Sequence, residues 1–128
     1  MRMNKQELLK LLSTLELDKE DFYVVSSGAL VLRGLFPDAG DLDIVVTEKG
    51  LEKLKQQHDL KQKENGWYTV TDKIECICDW KKEEKNNKPE LVENYYVQNL
   101  QEYYEFLLQS TREKDKLRIE LVKNALEK

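Results

Sequence analysis

Asp41 and Asp43, separated by one residue and followed by the apolar run Ile44-Val45-Val46, are the residues whose types and spacing point most directly to chemistry. Side chains in a strand alternate between faces, so the two aspartates project to one side while Leu42 and Ile44 take the other. Carboxylates this close repel, and the remedies are solvent, a raised pKa, or a divalent cation held between them. Upstream, Tyr23-Val24-Val25 meets Ser26-Ser27-Gly28 and passes into Ala29-Leu30-Val31-Leu32, which reads as a strand turning into a helix. The open N–H groups at the start of that helix, opposite the acids, suit a phosphate. Acids for magnesium beside a turn for phosphate describe a nucleoside triphosphate site.

These residues need a scaffold, and the remaining chain supplies its elements. Asn4 with Glu7 predicts a capped first helix whose stripe is Leu8, Leu11, Leu12 and Leu15. Leu17 to Asp21 turns the chain into the first strand, and Pro37 and Gly40 break it before the second. Thr47 caps another helix with Leu51 and Leu54 inward, and Gly50 is an awkward interior residue that argues for a later start. Leu60 to Glu64, Trp67 to Thr71 and Ile74 to Trp80 read as short strands, with Asn65-Gly66 as a hairpin turn. In the last of these, Ile74, Cys76, Cys78 and Trp80 share one face, and Glu75, Ile77 and Asp79 the other.

Lys81 to Lys88 carries no apolar residue and is expected to be a solvated loop closed by Pro89. From Asn99 the pattern is helical to the end. Asn99 and Glu102 form a cap and its partner, and Leu100, Tyr103, Tyr104, Leu107 and Leu108 give an apolar face. Thr111 is the expected cap of a final helix that packs Leu117, Leu121, Val122 and Ala125 inward.

The 128 residues are expected to form a single domain over positions 1–128, of class α+β, a small mixed sheet flanked by helices with helices at the C-terminus. A net charge of −4 argues against a surface that is nucleic-acid footprint throughout. No run is long enough to span a bilayer and the N-terminus leads into an amphipathic helix, so a cytoplasmic location is expected. Cys76 and Cys78 are too close in sequence for an unstrained bridge and read as buried thiols of a reducing compartment. With only His58 to join them they make a poor zinc set, and His58, near a helix C-terminus, reads as non-catalytic.

The stretch from Tyr23 to Val46 resembles the nucleotidyltransferases related to DNA polymerase beta, in particular the minimal members and the relatives found in antibiotic resistance and toxin-antitoxin systems. Ala29-Leu30, Gly34-Leu35 and Asp41-Leu42-Asp43-Ile44 carry the likeness, and Arg112-Glu113-Lys114-Asp115 resembles the Arg-x-Lys-Asp opening of the last helix in small members. Ser26-Ser27 stand where that family has Gly-Gly or Gly-Ser, with Gly28 one place later. The resemblance implies a polymerase beta-like fold and transfer of a nucleoside monophosphate, with Mg²⁺ or Mn²⁺, to a small molecule, protein or RNA. It implies Asp41 and Asp43 as metal-binding catalytic acids, with Glu75 or Asp79 as the third and Glu75, set within its strand, preferred. Ser26, Ser27, Gly28, Arg112 and Lys114 would meet the nucleotide. Small members often rely on a second chain, so a homodimer or a helical partner protein is expected. The alternatives are a catalytically silent domain of this fold that binds nucleotide or a protein, and an unrelated α+β domain with an accidental acidic strand.

Overall fold

The computed structural model describes residues 2–81 and 88–127; the expected loop over 81–88 therefore falls largely outside the described residues. Asn4 caps the first helix, α1 (Lys5–Ser13): its side chain accepts from the Glu7 N–H, and the Glu7 carboxylate accepts from the Asn4 N–H. Leu8 and Leu12 are buried beneath it. A single 3₁₀ turn (Lys19–Asp21) leads into β1 (Phe22–Val25), buried along its whole length. Then follow α2 (Ser26–Leu32), β2 (Leu42–Val46), α3 (Glu48–Gln57), β3 (Lys61–Gln62), β4 (Tyr68–Thr69), β5 (Ile74–Cys78), β6 (Glu90–Val92), β7 (Tyr95–Val97), α4 (Leu100–Gln109) and α5 (Glu113–Leu126).

The strands form one mixed sheet of seven in the order β3-β4-β5-β2-β1-β7-β6. β1 and β2 are antiparallel, whereas β2–β5 and β1–β7 are parallel. On one face Phe22, Val24, Leu42, Ile44, Val46, Ile74 and Cys76 pack against Leu8, Leu12, Ala29, Val31, Leu32, Leu51 and Leu54. Each such aliphatic side chain contributes roughly 1.5–3 kcal/mol on full burial. A smaller cluster of Leu30, Tyr103, Leu107 and Val122 joins α2 to the α4–α5 hairpin. The α+β class and the mixed sheet with helices agree with the sequence pattern.

Several local expectations change. Helix α3 runs through Gly50 because Gly is required there: a Cβ would stand 2.8 Å from the Asp21 carbonyl oxygen. Thr47 Oγ1 accepts from the Gly50 N–H at 3.1 Å and so caps the helix as expected. Asn99 likewise caps α4 by accepting from the Glu102 N–H. Thr111 does not cap α5: the N-cap is Arg112, and its N–H donates to Ser110 Oγ. Leu121 and Val122 pack inward as expected, but Leu117 is 82% exposed, because Asp115 and Ile119 take the inward positions of the first turns. The β6–β7 hairpin had no counterpart in the sequence reading. Its turn carries Glu93 and Asn94 at φ 54° and 69°, the left-handed pair of a tight hairpin.

Candidate active site

The second face of the sheet is only partly covered, with Tyr23, Val25 and Val45 buried on it, and the parity of the strands decides what it displays. On β2 the residues between the core positions are Asp43 and Val45, and on β5 they are Glu75 and Ile77. The parallel register sets Asp43 beside Glu75 and Val45 beside Ile77, while β1 sets Val25 beside Asp43 and Tyr23 beside Val45. The face therefore carries an acidic row and, two residues along, an apolar one. Trp80 joins this face and not the one shared by Ile74 and Cys76. β5 ends at Cys78, and the indole beyond it packs edge-on against Tyr23 at 5.0 Å.

Helix α4 and the start of α5 wall this face to make a cleft of about 590 Å³, within the usual size of small-molecule sites. Its lining includes Ser26, Asp43, Glu75, Asp79, Glu102, Tyr103, Phe106 and Arg112. Asp43, Glu75, Ser26 and Arg112, all expected from the sequence, thus come to one place. Asp79 lines the same cleft, so the two choices for a third acid are both present.

Ser26 sits where β1 turns into α2 with φ of 62°, a left-handed conformation that costs a non-glycine residue about 1–2 kcal/mol. Val25, the N-cap of α2, offers no side chain to the first-turn N–H groups. Gly28 is buried, and a Cβ there would lie 3.1 Å from Val24 Cγ1. Glycine at 28 therefore lets α2 pack closely on β1, and Gly28 is not among the residues that line the cleft. Ser27 is half-buried in the first turn of α2, and Asp41 is exposed one residue before β2. Neither is among the residues that line the cleft.

Positive charge near the acids comes from Lys63, which the sequence reading did not single out. The β3–β4 hairpin, turning through Gly66 at φ 90°, brings Lys63 Nζ to 2.8 Å from Glu75 Oε2. The Glu75 hydrogen bond raises the Lys63 pKa, burial opposes it, and the charges of Asp43 and Asp41 add to the rise. The three acids thus act together on one ammonium group.

Arg112 Nε donates to Asp115 Oδ2 at 2.7 Å, and Ser110 Oγ donates to the same oxygen at 2.6 Å. Arg118 Nη1 stands 3.8 Å from the other Asp115 oxygen and donates to Tyr103 Oη at 3.1 Å. Burial pushes the Asp115 carboxyl up, but Ser110, Arg112 and Arg118 outweigh it and hold the pKa below the ordinary carboxylate value. The Arg-x-Lys-Asp element is therefore an internal brace of the α4–α5 corner that leaves Arg112 at the cleft wall. The side chain of Lys114 lies outside the described residues. Cys76 is buried, which pushes its thiol up to about 11, and His58 is the C-cap of α3, away from the cleft lining.

Among the described residues no group of three or more His, Cys, Asp or Glu is gathered closely enough to hold a metal ion. In kind, however, the donors suit a hard divalent cation: Asp41, Asp43 and Glu75 offer only carboxylate oxygens. Their field already draws the Lys63 ammonium. The fold and site define an α+β domain with an acid-lined cleft on the open face of a mixed sheet. No protein-family model matches the chain, and neither curated proteins nor solved structures yield a significant match. Among the described residues no helix is long and apolar enough to cross a membrane.

Proposed function

We propose that this domain is a polymerase beta-like nucleotidyltransferase that moves a nucleoside monophosphate from a Mg²⁺-bound triphosphate to a hydroxyl acceptor. What carries the reading is that Ser26, Asp43, Glu75 and Arg112 line one cleft of ligand size. Asp43, Glu75, Asp79 and Glu102 line the cleft against the Arg112 guanidinium, with Lys63 paired to Glu75, so an accompanying Mg²⁺ favours entry of a triphosphate. Asp41 and Asp43 would hold the Mg²⁺, which when bound neutralises charge on the attacking and leaving oxygens. Ser26 donates its hydroxyl to the phosphate chain, and Arg112 holds the same chain from the helix wall. Glu75, released from Lys63, takes the proton of the acceptor hydroxyl. The acceptor oxygen bonds to the α-phosphorus as the bond to pyrophosphate breaks, and positioning supplies most of the remaining rate. The acceptor is a small molecule, protein or RNA presented by a second copy of this chain or a helical partner protein in the cytoplasm.

The Lys63–Glu75 ion pair favours a second reading, a silent domain of the same fold that binds nucleotide without transfer. One experiment separates them: incubation with each α-labelled triphosphate, Mg²⁺ and a cell extract. Transfer predicts a labelled product that disappears in Asp43→Asn while the unfolding midpoint is kept. Silent binding predicts no product but a raised melting temperature with nucleotide. Neither product nor a thermal shift would refute both.

A further inference from the structure

The apolar row of the open face lies two residues, about 7 Å, from the acidic row along the same strands. Tyr23, Val45 and Ile77 are cross-strand neighbours in it, the first two buried and Ile77 half-buried. Trp67, the residue before Tyr68, whose partner across β4–β5 is Cys76, packs into the same cluster. The indole belongs to a firmly held segment. The Trp67 N–H donates to Asn65 Oδ1 at 3.1 Å, and its carbonyl accepts from the Lys63 N–H at 2.7 Å. The hairpin that brings the Lys63 ammonium to the acids therefore also brings the Trp67 indole to the apolar row.

A Mg²⁺-bound nucleoside triphosphate complements both rows, with the cation for the acids and a flat apolar base, joined through the sugar, for the apolar row. With its phosphates at Ser26 and its cation at the acidic row, its base would reach the half-buried Ile77 and Trp67, which line the same cleft. We propose that Trp67 is the stacking wall for the nucleobase, with purines preferred because their larger π face covers more of the indole. This rests on the triphosphate reading given above and adds the subsite that distinguishes a nucleotide from a bare polyphosphate.

The experiment measures binding of ATP, GTP, CTP, UTP and inorganic tripolyphosphate, each with Mg²⁺, by calorimetry. The proteins are wild type, Trp67→Leu and Trp67→Phe, with melting curves as a check on folding. Trp80→Phe leaves Trp67 as the only tryptophan of the chain and reports stacking directly by fluorescence. The expected result is quenching of Trp67 by ATP, purines binding more tightly than pyrimidines, and retention of that order in Trp67→Phe. Trp67→Leu should weaken ATP roughly tenfold to a hundredfold while leaving tripolyphosphate unchanged. Wild type that binds tripolyphosphate as tightly as ATP, or Trp67→Leu that weakens both ligands equally, would overturn the stacking role alone. Wild type that binds neither ligand would overturn the triphosphate reading and the stacking role with it.

Discussion

The two faces of one sheet are built from the same strands and do opposite things. Along β2, Leu42, Ile44 and Val46 are fully buried under α1, α2 and α3, while Asp43 and Val45 turn to the open side. Along β5, Ile74 and Cys76 join the core while Glu75 and Ile77 face the cleft. On β2 and β5 charge stands only at positions where parity keeps it off the face packed by α1, α2 and α3, while the cleft side keeps a smaller buried cluster of Tyr23, Val25 and Val45. The contrast teaches that strand alternation alone can separate core positions from ionisable ones by a single residue.

An isoleucine on each face tests this most strongly. Ile44→Ala is expected to cost about 2–5 kcal/mol, because a fully enclosed side chain leaves a cavity. Ile77→Ala, at a half-buried site on the cleft side, is expected to cost less than about 2 kcal/mol. Urea unfolding monitored by circular dichroism reads both. Equal losses would break the separation and show the cluster of Tyr23, Val25 and Val45 to hold the fold as firmly as the helix-covered face.

How far the sequence reveals this arrangement follows from which forces are local. The alternation at Leu42-Asp43-Ile44 is a property of one strand, and the caps at Asn4, Thr47 and Asn99 are properties of one turn, so each was legible. Pairing Asp43 with Glu75 needs the parallel β2–β5 ladder, which forms across an intervening helix and hairpin and leaves no local mark. Lys63 and Trp67 are carried to Glu75 by the β3–β4–β5 meander and reach Asp43 and Val45 only through that ladder, and they were missed. Leu117 misled because periodicity cannot foresee that Asp115, 1% exposed, would occupy an inward position through its bonds to Ser110 and Arg112. The β6–β7 hairpin was hidden beside a charged run, although Asn94 before Tyr95-Tyr96-Val97 was the available turn signal.

Ser26 sharpens the comparison at the edge of the open face. Its left-handed backbone is strain located at the cleft, where such conformations tend to mark function. Ser26→Gly is expected to raise stability by about 1 kcal/mol, since glycine adopts this region without steric cost but loses more chain entropy on folding. The same unfolding curves measure it. A variant less stable than wild type would mean that the Ser26 side chain makes a contact that outweighs the strain.

The smallest effect is expected at Lys63, and its smallness is informative. Its ion pair with Glu75 is close, at 2.8 Å, yet both groups stand on the open face, where water and salt replace either partner. Lys63→Met should therefore leave the unfolding midpoint unchanged at both low and high ionic strength. A fall approaching that of Ile44→Ala would show the cleft face to be held together by its charges, and the two faces would no longer divide stability from chemistry. An unchanged midpoint would mean that the ammonium can be moved off the acids without penalty to the fold, which is what a cation-requiring ligand entering this acidic cleft demands of Lys63.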